Sequence, residues 1–165
     1  MLFRSREATA CTLVCSARMV HLFSRSFPKV RVVAFGGTIE DTHDVHVALT
    51  DLAQRFRPDL ESFPKTDGYL KADSELSAAL RSRYGADHKI VGISWRSSSG
   101  ATGDFKSAPL AQWGDILSVP NVTFVSLQYG EVSGELSALR ARSGLHVTSD
   151  PAIDSSGELD VFAAQ

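Results

Sequence analysis

The chain has 165 residues, 43% hydrophobic and 22% charged, with a formal net charge of −2. That balance fits a soluble globular protein of one ordinary domain or the joined parts of two, and it excludes fibrous and low-complexity classes. No apolar run approaches the ~18 residues of a membrane span. The early charges Arg4, Arg6 and Glu7 exclude a secretory leader, and the basic residues lack the clustering with aromatics of a nucleic-acid surface.

From the N-terminus, residues 1–39 carry six Lys/Arg against Glu7 alone, so a basic beginning precedes an acidic remainder. An Arg- and Ser-rich, acid-poor start also suits an organellar transit peptide. Against that reading, CTLVC (11–15) alternates like a strand of the folded domain. Cys11 and Cys15 make a lone C-x-x-x-C, which is neither a zinc framework nor a disulfide framework. The expectation is a reduced, cytoplasmic protein with buried thiols.

The periodicity of 18–26 predicts a helix, with Met19, Leu22 and Phe23 on one face and Pro28 ending it. VRVVAF (30–35) reads as a buried parallel strand broken by Gly36-Gly37. DVHVAL (44–49) alternates, and DLAQRF (51–56) predicts one or two helical turns before Pro58. His43, His46, Asp41 and Asp44 could suggest a metal cluster, but strand alternation would put His43 and His46 on opposite faces, so no metal site is expected. The stretch 57–73, punctuated by Pro58, Pro64 and Gly68, reads as a connector.

Ser74 is the expected cap of a helix over 75–84 closed by Gly85. KIVGISW (89–95) predicts a strand, followed by an Arg/Ser/Gly-rich loop (96–104). A helix is expected over Leu110–Leu117, with Trp113 on its core face. A strand follows over VTFVSL (122–127), then a helix over Val132–Arg142, a short strand over LHVTS (145–149) and a last helix from Leu159 to Ala164. Strands alternating with helices imply α/β units with parallel sheets. Each half offers only two or three confident strands, which suggests part of something larger. His21 and His88 receive no role.

In such sheets ligands bind beyond the carboxyl ends of the strands. The loop after KIVGISW reads either as a plain flexible surface loop or as one with the chemistry a diphosphate needs. Ser97–Ser99 and Thr102 supply hydroxyls, Gly100 and Gly103 allow close backbone approach, and Arg96 and Lys106 supply charge. It is neither a P-loop nor a G-x-G-x-x-G, and the missing fingerprint argues against a nicotinamide-dependent oxidoreductase. No Gly-x-Ser-x-Gly elbow marks the serines as nucleophiles.

These residues also carry a resemblance. GYLKAD, KIVGISWRSSSG, FKSAPLAQWGDILSVPNVTFVSLQYGE and ELDVFAA resemble the glycosyltransferase-like domains found behind tetratricopeptide repeats in bacteria. Those domains are similar to the heptosyltransferase group and, more distantly, to O-GlcNAc transferase. The upstream segments 15–34 and 44–64 look like the later part of that family's N-terminal domain. The resemblance implies an incomplete GT-B fold of two Rossmann-like parallel-sheet units, with residues 1–70 on the acceptor side and 71–165 binding the nucleotide-sugar donor. It places Ser94, Trp95, Arg96, Ser97 and Lys106 at the donor diphosphate, Gln128 near the base, and Asp154 at a ribose or base contact. His46 to Leu52 would lie on the cleft side of the N-terminal domain. No metal or cofactor is implied, and tetratricopeptide repeats become expected companions in a parent protein.

Two family segments have no counterpart: the early Gly-rich stretch with the candidate acid/base, and the later Asp-x-x-x-x-Asp-(Ser/Asn)-x-x-x-His stretch. Without a base, the ~10²–10⁴-fold of general base catalysis would be missing. The expectation is therefore a fragment of a glycosyltransferase, inactive alone. The alternative is a non-catalytic α/β binding or scaffold module.

Overall fold

The structure, a computed structural model, describes residues 8–39, 43–85, 87–97, 99, 102–157 and 159–165. The chain is mixed α/β and divides into two compact units, Met1–Ala72 and Asp73–Gln165. No helix among the described residues is long and apolar enough to cross a membrane.

Unit 1 holds β1 (Thr12–Cys15) and β2 (Arg31–Ala34), paired in parallel with Cys15 opposite Ala34. A 3-10 turn (Ala17–Met19) leads into α1 (Val20–Ser26), whose Leu22 is buried like Cys15. Burial pushes the Cys15 thiol pKa above its usual range, as expected for a structural cysteine. The expected alternating strand at 44–49 does not form. Val45 and Val47 are exposed, and the segment runs without regular structure into α2 (Leu49–Phe56). Alternation alone supplies no neighbouring strand to hydrogen-bond with.

The end of the connector belongs to unit 1. Lys71 N donates to Ser26 Oγ at 2.9 Å, and the Tyr69 ring stacks on Phe27 with centroids 6.4 Å apart. These contacts carry the unit boundary past residue 70 to Ala72.

Unit 2 begins with α3 (Ser74–Gly85). Its cap is Asp73 rather than Ser74: Asp73 Oδ1 accepts from Glu75 N and Leu76 N, both at 3.0 Å. Asp73 holds the N-cap position because its carboxylate reaches two otherwise unpaired N–H groups of the first turn. β3 (Lys89–Ile93) pairs in parallel with β4 (Val122–Ser126), Ile93 opposite Ser126. The expected strand at 145–149 contributes one parallel bridge, Thr148 to Val125.

Between the strands the expected helix over 110–117 is broken. A 3-10 turn (Leu110–Gln112) precedes α4 (Gly114–Leu117), and Trp113 sits at the break with its Nε1–H donated to Ala108 O at 3.2 Å. α5 (Ser133–Ser143) stops at Gly144, whose φ of 71° permits the left-handed turn that returns its N–H to Arg140 O. α6 (Leu159–Ala164) lies where the sequence predicts it and packs on α3.

The core of unit 2 gathers Ile93, Trp95, Leu110, Leu117, Phe124, Val132, Leu139 and Val147. On α3, Tyr84 is 7% exposed and its Oη accepts from Gln165 Nε2 at 2.9 Å. Burial, assisted by the Asp150 charge, raises the Tyr84 pKa above its ordinary value, outweighing the Gln165 bond. The folded state therefore holds the phenol proton more tightly than the unfolded chain. That contribution is full below the unfolded pKa of about 10 and is lost as pH rises through the folded value. The denaturation midpoint of the wild type is expected to fall toward that of Tyr84→Phe between pH 9 and pH 11, as followed by circular dichroism. A constant gap would contradict it.

Candidate functional site

The loop leaving β3 at its carboxyl end runs from Ser94 to Ser107 and closes largely on itself. Trp95 N and Arg96 N both donate to Gln128 Oε1 at 2.9 Å, and Ser94 Oγ reaches the same oxygen at 3.2 Å. Gln128 Nε2 donates to Arg96 O at 3.0 Å and to Tyr129 O at 3.3 Å. Gln128 leaves the end of β4 and is 5% exposed. Both its amide hydrogens and its oxygen are thus consumed by the turn.

Further along, Ser97 N donates to Ser107 Oγ at 3.0 Å, and that hydroxyl donates to Gly103 O at 2.6 Å. Gly103 N donates to Ser99 O at 2.7 Å, and Ala108 N returns to Trp95 O at 2.8 Å. A Cβ on Gly103 would lie 2.5 Å from Ser99 O and 3.0 Å from Ser97 O, so only glycine fits between these carbonyls. Ser98 and Gly100 lie outside the described residues, as does Asp41 of the His43/His46 segment. Among the described residues no three His, Cys, Asp or Glu side chains converge on a common point.

The expected site residues separate into two groups. The Trp95 side chain is 2% exposed and belongs to the core, its indole N–H donated to Glu135 Oε2. Arg96 Nε pairs with Glu135 Oε1 at 2.7 Å, and its Nη2 donates to Glu131 O at 2.6 Å, which spends this guanidinium on α5. The N–H groups of Trp95, Arg96 and Ser97 point to Gln128 and Ser107. Lys106 is different. It sits on a 3-10 turn (Asp104–Lys106), exposed, and its ammonium has no hydrogen bond or ion pair among the described residues.

Asp154 lies in the exposed loop before α6, where its Oδ1 accepts from Ser156 N at 2.7 Å and Ser156 Oγ at 2.6 Å. Together with Gln128 it lines a cavity of about 680 Å³ beyond the carboxyl ends of β4 and the 145–149 segment, walled by α5 and the loop 149–156. Glu131, at the mouth of α5, also lines it. Hydrogen bonds from Ser133, side chain first and backbone second, hold the Glu131 carboxyl below its usual pKa. Gln128 is shared by both features, because it braces the loop and faces the cavity.

Sequence reasoning missed Glu135, Ser107 and the packing role of Gly103. Glu135 is separated by 39 residues from the arginine it holds, and no spacing rule links them. The Gly103–Ser107 interval was a signal, since a hydroxyl four residues after a glycine can close a tight turn.

Two α/β units, each built on a two-stranded parallel sheet, with the second carrying a braced loop and an open cavity at its strand ends, define the class of protein. No family model matches the chain and no solved structure matches it. Among curated proteins it is similar to Protein FlbA of Caulobacter vibrioides, 30% identical over an alignment of 171 positions that covers 93% of this chain and 28% of FlbA. The chain thus matches a little over a quarter of that relative's length.

Proposed function

We propose that this chain forms the donor-binding part of a nucleotide-sugar-dependent glycosyltransferase of GT-B type, with Lys106 gripping the donor diphosphate. One observation carries the reading: a loop at the carboxyl end of a parallel strand is braced by its own backbone and leaves Lys106 as an uncommitted cation. With Arg96 neutralised by Glu135, charge development on a departing nucleoside diphosphate falls to Lys106. The 680 Å³ cavity is within the ordinary size of a small-molecule site, and Asp154 or Glu131 there would suit ribose hydroxyls.

The test is a calorimetric titration of the 165-residue chain with uridine, guanosine, adenosine and cytidine nucleotides and their sugar conjugates. Lys106→Ala is expected to weaken the binding nucleotide about 10-fold, the loss of one charge-assisted contact, with the melting temperature unchanged. Equal affinity of variant and wild type would refute the assignment.

A second reading, a non-catalytic α/β module, is favoured by the inward bonding of Arg96, Gln128 and the 95–97 N–H groups. It predicts cooperative unfolding with no stabilisation by any nucleotide.

A further inference from the structure

The loop 94–107 roots two cations close together and treats them differently. Ser97 N donates to Ser107 Oγ at 3.0 Å, and Ala108 N returns to Trp95 O at 2.8 Å, so the two ends of the loop meet in a narrow neck. Arg96 immediately precedes one member of the first pair and Lys106 the other. Lys106 makes no hydrogen bond or ion pair among the described residues, whereas Arg96 is tied back to α5.

The tie is one carboxylate shared by two donors. Glu135 Oε1 accepts from Arg96 Nε at 2.7 Å, and Glu135 Oε2 accepts from the indole N–H of Trp95. Trp95 is locked in the core, so it fixes Glu135 in turn. The Arg96 backbone is held at both ends by Gln128, through its N–H at 2.9 Å and its carbonyl at 3.0 Å, which leaves only the side chain able to change place. Guanidinium and carboxylate are 32% and 38% exposed, so solvent ions have access to the pair. An arriving anion must displace a fixed carboxylate before it can use Arg96.

The local charges act in the same direction. Arg96 and Lys106 are offset by Asp104 in the 3-10 turn and by Glu135, which leaves this neighbourhood formally neutral. An indole N–H needs only a neutral acceptor, so the carboxylate is more than Trp95 requires. Glu135 also stands in the first turn of α5, where negative charge complements the helix dipole, but that need involves no arginine.

We propose that Glu135 is a positioning residue that keeps the diphosphate affinity of the loop low by holding Arg96 away from the ligand, a role that rests on the diphosphate reading of the same loop. With one cation available the grip on a departing diphosphate is loose, and a loose grip favours release.

Glu135→Gln isolates this role. Glutamine offers one side-chain oxygen where glutamate offers two, and the locked indole keeps its share, so the arginine is released. The experiment is a calorimetric titration of the 165-residue chain with inorganic pyrophosphate at constant ionic strength. Glu135→Gln is expected to bind about 10-fold more tightly than the wild type, the gain of one charge-assisted contact, and to lose affinity more steeply as chloride is raised. The Glu135→Gln/Arg96→Gln double variant should lack that gain and match Arg96→Gln alone. A purely structural role for Glu135 produces no gain that depends on Arg96. Three results would overturn the proposal: affinity in Glu135→Gln equal to or below that of the wild type, a gain that survives Arg96→Gln, or no saturable heat from either the wild type or Glu135→Gln. If Glu135→Gln lowers the melting temperature, all variants are titrated below its onset of unfolding, so that only folded protein is compared. Lys106→Ala in the same series judges the underlying reading separately, because wild-type affinity in that variant refutes the Lys106 assignment whatever Glu135→Gln does.

Discussion

Trp95→Ala is expected to destabilise unit 2 by about 3–5 kcal/mol, the range for removing a large aromatic side chain from a packed core. Trp95 is 2% exposed among Ile93, Leu110, Phe124, Val132 and their neighbours, so little of the space it leaves can be refilled without moving β3 or α5. The change also removes the indole donor from Glu135, whose carboxylate then keeps Arg96 alone. Trp95→Phe retains most of the apolar contact and should cost roughly 1–3 kcal/mol, mainly the lost N–H and part of the ring. Both tryptophans of the chain, Trp95 and Trp113, lie in unit 2, so in either variant Trp113 fluorescence reports that unit alone during urea unfolding. A midpoint lowered at constant slope is expected. A change below about 1 kcal/mol for the alanine variant would remove Trp95 from the core.

The strands and helices of unit 2 were largely legible because their signals are periodic and local. KIVGI and VTFVS are β-branched runs bounded by turn residues, and Leu159–Ala164 is helical as predicted. What failed depended on partners distant in sequence. The 44–49 segment alternates like a strand but finds no neighbour, and the helix over 110–117 breaks at Trp113, whose indole bonds back to Ala108. At the start of α3 two adjacent residues could cap, and Asp73 does so. The candidate site shows the same limit more sharply. Composition draws attention to the loop after β3, yet it cannot separate a cation that is spent from one that is free. Arg96 and Lys106 look equivalent in the sequence, and Glu135, far along the chain, makes them different.

Gln128→Leu should cost about 2–4 kcal/mol, because one side chain serves four backbone groups of the loop and its surroundings. Leucine preserves the volume and removes every polar contact. Trp95 N and Arg96 N lose their acceptor, and Arg96 O and Tyr129 O lose their donor. Water cannot replace these bonds without opening the turn, so nucleotide affinity should fall together with stability. Gln128→Glu separates the two halves of this role. A carboxylate can still accept from the two N–H groups, but it faces Arg96 O and Tyr129 O with no hydrogen to donate. Protonation restores one donor, so the folded state raises the pKa of the introduced acid above its unfolded value. The stability gap between Gln128→Glu and wild type should therefore narrow as pH falls from 7 toward 5. Denaturation midpoints of the three proteins at those two pH values test this. If Gln128 instead reads a nucleotide base directly, both substitutions will weaken nucleotide binding while leaving the midpoints where they are. The internal hydrogen bonds of the loop would then contribute nothing measurable to its stability.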